Sequence, residues 1–134
     1  MSPVSEKTFV IQNIGQIVVN VHKFEEAVNF YRDTLALKFL GQTEQEPYMA
    51  FFDCDGTRLM LAVPTSEEYD HPSSIIYYRV PDIHAAHQVL LAKGVIFDQD
   101  PHSVGRLENV DVWMAFFRDP DDNTLAIMCD IPLE

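Results

Sequence analysis

The chain carries two copies of one β-hairpin pattern, and this internal repeat constrains the fold more than any other feature. The second copy, residues 114–130, places two apolar runs rich in β-forming residues around the turn residues Asp-Pro-Asp-Asp-Asn at positions 119–123. Pro fixes one φ angle and Asp and Asn accept turn conformations, so the segment predicts a hairpin. The first copy, residues 48–63, has Asp55-Gly56 at the corresponding turn, where a tight hairpin requires positive φ.

The two copies align along most of their length. A shift of 66 carries Phe51 onto Phe117, and a shift of 59 upstream carries Val21 onto Val80. The second copy therefore contains seven extra residues between its helix and its hairpin. They predict a longer loop within about residues 98–110, as the main difference between the two units.

Each unit has a β-α-β-β-β pattern. Periodicity predicts strands at 14–21 and 75–80, each followed by a helix, a short strand and the hairpin. Asp82 is placed to cap the second helix and Gly94 to end it. Eight strands and two helices leave no third layer, so we expect an α+β fold whose curled, mixed eight-stranded sheet is built from two βαβββ modules. The modules are predicted at about 13–63 and 73–130 of one domain spanning 1–134, with an N-terminal arm at 1–12 and a proline-bracketed linker at 64–72.

Composition limits the partners. The 134 residues fit one domain, and 47% hydrophobic and 22% charged residues are ordinary for a globular protein. A net charge of −12 repels nucleic acid and anionic lipid. The sequence shows neither a secretory signal nor an apolar run of membrane-spanning length, so we expect a cytoplasmic protein. Cys54 and Cys129 lack metal or disulfide spacing and are predicted to be buried free thiols.

The helix at residues 24–37 and the turn at 119–123 are similar to motifs of the vicinal oxygen chelate superfamily. That superfamily includes glyoxalases, metal-dependent epimerases, extradiol dioxygenases, fosfomycin-resistance enzymes and bleomycin-binding proteins. The resemblance covers residues 14–130. Asp122 stands where the family turn has Gly, and the left-handed backbone conformation that this position implies costs Asp less than most other residues. It implies the glyoxalase/bleomycin resistance fold and a homodimer.

The resemblance also implies four metal-ligand positions, which fall here on Gln16, Met60, Ile75 and Ala126. A catalytic divalent cation takes imidazole and oxygen ligands and leaves a position open for water or substrate. Only Gln16 can coordinate, and one neutral amide cannot hold a metal against water. We therefore expect no metal and no cofactor.

Strand alternation places one set of side chains on the concave side of the sheet. An apolar cavity with a few polar anchors is the usual composition of a small-molecule pocket. The alternative is that these side chains fill the interior as core. The set is Gln16, Val18, Asn20, Arg58, Met60, Ala62, Ile75, Tyr77, Arg79, Thr124, Ala126 and Met128.

Four candidate residues, of which Arg58 and Arg79 are also in this set, each have two interpretations. Arg58 and Arg79 suit bidentate binding of a carboxylate, or are surface arginines. His102, in the predicted loop with Glu108, suits acid-base work or is simply solvated. Trp113 suits stacking on a planar ligand at the rim of the pocket, or packs into the core.

Three functions follow from this pattern. The leading hypothesis is a metal-independent small-molecule-binding protein that sequesters a hydrophobic or cationic compound. The alternative is a glyoxalase, isomerase or dioxygenase-type enzyme using a site around Gln16, Tyr77, His102 and Glu108. The third is a structural or regulatory dimer without a ligand.

Overall fold

The two predicted modules are present in the computed structural model, which describes residues 9–133. Residue 134 and the first eight residues of the predicted arm lie outside this range. The described residues form eight strands and two α-helices, in the predicted βαβββ order. The elements are β1 (Gln16–Asn20), α1 (Phe24–Asn29), β2 (Lys38–Gln42), β3 (Met49–Cys54), β4 (Thr57–Ala62), β5 (Ile76–Arg79), α2 (Ile83–Ala92), β6 (Phe97–Leu107), β7 (Val110–Arg118) and β8 (Thr124–Pro132). The predicted fold class is confirmed.

Each module contributes one four-stranded mixed sheet. The strand orders are β1-β4-β3-β2 and β5-β8-β7-β6. The first strand of each module pairs in parallel with its last strand, and the other pairs are antiparallel. The curled arrangement is therefore made of two sheets of equal size, with equivalent topology.

The helices begin and end where the local sequence dictates. The Asp82 carboxylate accepts hydrogen bonds from the backbone N–H groups of His84 (3.0 Å) and Ala85 (3.1 Å), which confirms the predicted cap of α2. Gly94 follows that helix with φ +92°, a conformation that glycine adopts without strain. The first helix continues into a π-helical turn, Phe30–Thr34.

One face of each sheet is covered by the helices and forms the core. Alternate strand residues such as Val19, Phe52 and Leu61 in the first sheet and Leu125 and Phe117 in the second are at most 3% exposed. They belong to a single cluster that also contains helix residues of both modules. Because burying each large side chain stabilises the fold by about 1.5–3 kcal/mol, this shared core holds the modules together.

A buried hydrogen bond joins the modules at the 119–123 turn. The Tyr31 hydroxyl, on the helical segment of module one, donates to Oδ2 of Asp119 at 2.7 Å. Oδ1 of Asp119 accepts from the backbone N–H groups of Asp121 and Asn123, both at 2.9 Å. Asn123 Nδ2 donates to Asp119 Oδ2 and to the Asn20 carbonyl oxygen. The turn thus folds around one carboxylate and docks onto the end of β1.

The prediction of a loop at residues 98–110 is wrong, because most of this segment is part of a strand. Strand β6 runs to Leu107 and pairs with β7 from Phe97–Phe117 to Leu107–Val110, and only Glu108 and Asn109 separate the two strands. The composition of this segment is that of a loop, but the long apolar β7 offers it a partner for its backbone hydrogen bonds. The extra residues of module two therefore form a ribbon, with register shifts along it.

The structure also bears on the expectations about the two cysteines and about membrane-spanning segments. Cys54 and Cys129 are both free. Cys129 is buried as predicted, whereas Cys54 is only half-buried. Within residues 9–133, no helix has the length and apolar character needed to cross a membrane.

Candidate functional site

The sheet faces that turn away from the helices carry most of the residues predicted to bind a ligand. We call them the first and second open faces, for modules one and two. On the first, three pairs of neighbours lie side by side in β1 and β4: Gln16 with Arg58, Val18 with Met60 and Asn20 with Ala62. On the second, β5 and β8 place Tyr77 beside Ala126 and Arg79 beside Met128. The alternation inferred from the sequence agrees with these positions.

A cavity of about 530 Å³ lies on the first open face, beneath the linker. Its floor includes Val18, Met49 and Ala62, and its walls include Tyr69 and several prolines. Such a volume suits a small organic ligand, and a largely apolar lining is typical of binding pockets. Of the predicted set, Val18, Asn20 and Ala62 line this cavity.

Asn20 holds the linker over the open face. Its Nδ2 donates to the carbonyl oxygens of Tyr69 (2.8 Å) and His71 (2.9 Å), and its backbone N–H donates to Ser73 Oγ at 2.8 Å. Asn20 is therefore a positioning residue for the wall of the cavity. The linker residues were not predicted as part of the site from the sequence. The aromatic Tyr69, in an otherwise polar segment, was the one signal that the linker could line a cavity.

The second open face does not line this cavity. Tyr77 is 44% exposed and stacks edge-on against Phe116, with ring centroids 6.0 Å apart. Ile75 is also 44% exposed, whereas Ala126 is fully buried. Arg79 Nη1 contacts Asp130 Oδ2 at 3.2 Å on the surface, so it pairs within its own sheet. The predicted ligand set is thus divided between two faces.

The residues of the alternative catalytic site are not gathered together. His102 lies opposite Met114 on the ribbon, and its Nδ1 lies 2.7 Å from the Asp100 carbonyl oxygen. Glu108 occupies the tip of the same ribbon with φ +55°. Gln16 is exposed on the other sheet. No pair among them is within hydrogen-bond reach in the described part of the chain, so no acid-base arrangement is seen.

Trp113 lies on the helix-covered side of its sheet. It pairs with Cys129 of the core and stacks edge-on with His84 at 5.3 Å between ring centroids. Its Nε1 donates to Asp111 Oδ2 at 3.0 Å, while Ser103 Oγ donates to Oδ1 at 2.6 Å. These two hydrogen bonds lower the pKa of Asp111. Trp113 therefore packs on the core side of its sheet, which is the second of its two predicted interpretations, and it does not line the cavity beneath the linker.

The residues present do not fit the metal site of the related family. Gln16 has the cationic Arg58 beside it in β4, which disfavours a divalent cation there. Met60, Ile75 and Ala126 offer no oxygen or imidazole ligand. Among residues 9–133, His, Cys, Asp and Glu form no group of three or more able to hold a metal ion.

The comparisons with known proteins agree with this architecture. The family model described as Glyoxalase/Bleomycin resistance protein/Dioxygenase superfamily matches residues 13–127. The uncharacterized protein YraH of Bacillus subtilis (strain 168) is 29% identical over 124 residues, which cover 84% of this chain and 94% of YraH.

Two solved structures have the same fold at low sequence identity. TnmS3, an antibiotic binding protein from Streptomyces sp. CB03234, has a TM-score of 0.71 at 20% identity, covering 91% of this chain and 98% of its own. Lactoylglutathione lyase from Agrobacterium tumefaciens also has a TM-score of 0.71, at 17% identity, with 90% and 95% covered. A binding protein and an enzyme therefore share this architecture, so the side chains of the open faces must decide the function.

Proposed function

The chain belongs to the Glyoxalase/Bleomycin resistance protein/Dioxygenase superfamily, and we propose that it is a member that binds a small organic molecule without a metal ion. The observation that carries this proposal is the cavity of about 530 Å³ beneath the linker. It lies on the first open face, which carries two of the four positions equivalent to the family's metal ligands, Gln16 and Met60. Besides the amides of Gln16 and Asn20, that face presents the apolar side chains of Val18, Met60 and Ala62.

The cavity favours a hydrophobic ligand that is neutral or cationic. Met49, Tyr69 and prolines supply apolar contact, and no Lys or Arg of the described residues lines the cavity. The linker above it carries Glu67 and Glu68 in a short 3₁₀ turn, and the whole chain has a net charge of −12. The resulting potential attracts cations and opposes anionic ligands. TnmS3, which has this fold, is an antibiotic binding protein, so the fold is compatible with a role in sequestering a small compound.

A second copy of the chain completes the proposed site. Val18 on the first open face and Ile75 and Tyr77 on the second are 44–45% exposed. Exposed apolar faces are typical of surfaces that associate. In the proposed homodimer, the second open face of one protomer covers the cavity of its partner, which would bring the two halves of the predicted ligand set together.

The dimer is tested by sedimentation velocity on the full chain. We expect a dimer for the unaltered protein and a monomer for Tyr77→Glu, because a carboxylate buried in an apolar interface is strongly unfavourable. The matched control is Ile96→Glu, which places the same carboxylate at an 85% exposed residue between α2 and β6, outside both open faces. A monomeric unaltered protein, or a dimer in Tyr77→Glu, would contradict the proposed interface.

Ligand binding is tested by thermal unfolding with metal-free bleomycin and other cationic glycopeptides, and with hydrophobic acids as the anionic comparison that the net charge of −12 should exclude. A compound at about 100 times its Kd stabilises the folded state by about 2.7 kcal/mol, which raises Tm by roughly 10 °C in a chain of this size. Ala62→Trp fills the cavity and should abolish the shift. Ala85→Trp adds the same side chain to an exposed position of α2 and should preserve it.

Calorimetric titration with Zn²⁺, Mn²⁺ and Mg²⁺ separates the proposal from metal-dependent function. We expect no stoichiometric binding at micromolar concentration. Micromolar binding that disappears in Gln16→Ala would overturn metal independence, and the absence of a thermal shift with every compound would overturn small-molecule binding.

A further inference from the structure

The junction between the modules has two sides that the sequence repeat makes equivalent. On one side, Tyr31 fills the junction, is 1% exposed and donates its hydroxyl proton to Asp119. The shift of 59 carries Tyr31 onto Leu90, and the shift of 66 carries Asp53 onto Asp119. The second side therefore has a smaller side chain where the first has a tyrosine.

A cavity of about 370 Å³ occupies that second side. Module one contributes Leu35, Leu37 and Cys54 to its lining, and module two contributes Tyr78, Ala86 and Leu90. The cavity is separate from the one beneath the linker, because it lies on the helix-covered side of the sheets and shares none of its lining residues.

Charged groups at the edge of this cavity already have partners. Lys93 Nζ donates to the carbonyl oxygens of Asp33 and Thr34, both at 3.0 Å, and so stabilises the end of the first helical segment. Arg79 is paired with Asp130. The interior thus offers aliphatic contact without a free charge from either side chain.

The Tyr78 hydroxyl is the unsatisfied polar group of this cavity. It is buried and has no hydrogen-bond partner within the described residues. A buried hydroxyl is normally hydrogen-bonded, and one without a protein partner indicates a missing ligand or water. Burial raises the pKa of Tyr78 above its ordinary value, so the group stays a neutral hydrogen-bond donor.

We propose that the inter-module cavity is a second binding site, for a small neutral apolar molecule with one acceptor atom that accepts a hydrogen bond from the Tyr78 hydroxyl. The volume is near the lower end for ligand pockets, which suits a compact aromatic or short-chain molecule. A carbonyl or ether oxygen has the required acceptor chemistry. An ordered water alone would satisfy the hydroxyl but would leave the aliphatic walls without contact.

Acetophenone and ethylbenzene form a matched pair of probes, because they have nearly the same shape and differ by a carbonyl group. Their affinities for the full chain are measured by ¹H–¹⁵N NMR titration. The ratio of acetophenone to ethylbenzene affinity should fall about five- to tenfold in Tyr78→Phe, the factor expected for one hydrogen bond. Acetophenone should also slow the alkylation of Cys54 by iodoacetamide, which mass spectrometry detects.

Variants that fill the cavity provide the second arm. Leu90→Tyr reproduces the residue of the equivalent side and should prevent binding of both probes. Ala86→Leu fills the same space with a smaller change and serves where Leu90→Tyr fails to fold. Ala62→Trp, which fills the cavity beneath the linker, should leave probe binding unchanged.

Three results would overturn this inference. They are an affinity ratio unchanged in Tyr78→Phe, probe binding that persists in Ala86→Leu, and no binding of either probe at millimolar concentration. Retained probe binding together with loss of glycopeptide binding in Ala62→Trp would show that the two sites are independent. The failure of either proposal is therefore distinguishable from the failure of the other.

Discussion

The substitution Tyr31→Phe tests whether the buried hydrogen bond at the 119–123 turn holds the two modules together. It removes one oxygen atom and leaves the aromatic ring in the core, where Tyr31 packs against Phe30 and Phe52. Asp119 loses the hydroxyl as a donor but keeps the two backbone N–H groups and the amide of Asn123. The variant therefore isolates a single contact between the modules.

The magnitude follows from the charge and burial of the partners. Tyr31 is 1% exposed and Asp119 is 5% exposed, so water cannot replace the lost donor. A hydrogen bond to a charged group contributes a net 1.5–3 kcal/mol, and the remaining donors to Asp119 place the expected loss at about 2 kcal/mol. At about 2.1 cal/mol/K of unfolding entropy per residue, this lowers Tm by roughly 7 °C.

Urea unfolding followed by far-UV circular dichroism measures this loss, with differential scanning calorimetry for Tm. Tyr69→Phe is the control, because Tyr69 is 62% exposed and its hydroxyl removal should change the unfolding free energy by less than about 0.5 kcal/mol. A loss below about 0.5 kcal/mol in Tyr31→Phe would refute the reasoning, since it would mean that the turn carboxylate gains nothing from the helix of module one.

Two pH predictions follow from Tyr31 and Asp111, whose pKa values are shifted by burial and by hydrogen bonds, respectively. Burial raises the pKa of Tyr31, so the folded state keeps a proton that the unfolded chain releases above about pH 10. Above that pH, the free energy of unfolding should fall by up to about 1.4 kcal/mol per pH unit because of this group. Urea unfolding at pH 9–11 should therefore show a shallower decline in Tyr31→Phe than in the unaltered protein. The pKa of Asp111 is lowered by hydrogen bonds from Ser103 and Trp113, so its stabilising contribution is complete above the unfolded pKa of about 3.9 and is lost as pH falls through the lower folded value. The fluorescence of Trp113, the single tryptophan, should then titrate below pH 3.9 and lose this transition in Asp111→Asn, whereas a midpoint at or above 3.9 would contradict the role of the hydrogen bonds.

The sequence was sufficient to predict the features that depend on local chemistry and periodicity. The turn at 119–123 and the cap at Asp82 could be predicted because each uses its own side chain to bind nearby backbone N–H groups. The sheet faces could be predicted because side chains alternate with a period of two along a strand. The repeat then supplied the second module from the first.

The features that were missed depend on contacts between distant segments. Residues 98–107 are polar and contain Pro101 and Gly105, yet they form a strand because β7 lies beside them. The linker became a cavity wall because Asn20 binds its backbone carbonyl oxygens from 49 and 51 residues away. Nothing in the local composition of either segment specifies such a partner.

The period of two also strengthens the argument about the metal site. A one-residue error in aligning Met60 or Ala126 to the family would replace them by their neighbours on the helix-covered face, which include Leu59 and Ile127, at most 4% exposed. Neither register supplies an imidazole or carboxylate, so the mismatch does not depend on the alignment.

The open faces and the core also differ in what they determine. The core side chains are shared between the two modules and hold the fold together, whereas exposed positions such as Val18 and Tyr77 contribute little to the stability of one chain. The fold therefore constrains the open-face chemistry only weakly, which explains how a lyase and an antibiotic binding protein can share this architecture at 17% and 20% identity to this chain. For this chain, the cavity beneath the linker must be tested through its own side chains, because membership of the family specifies the scaffold and leaves the ligand open.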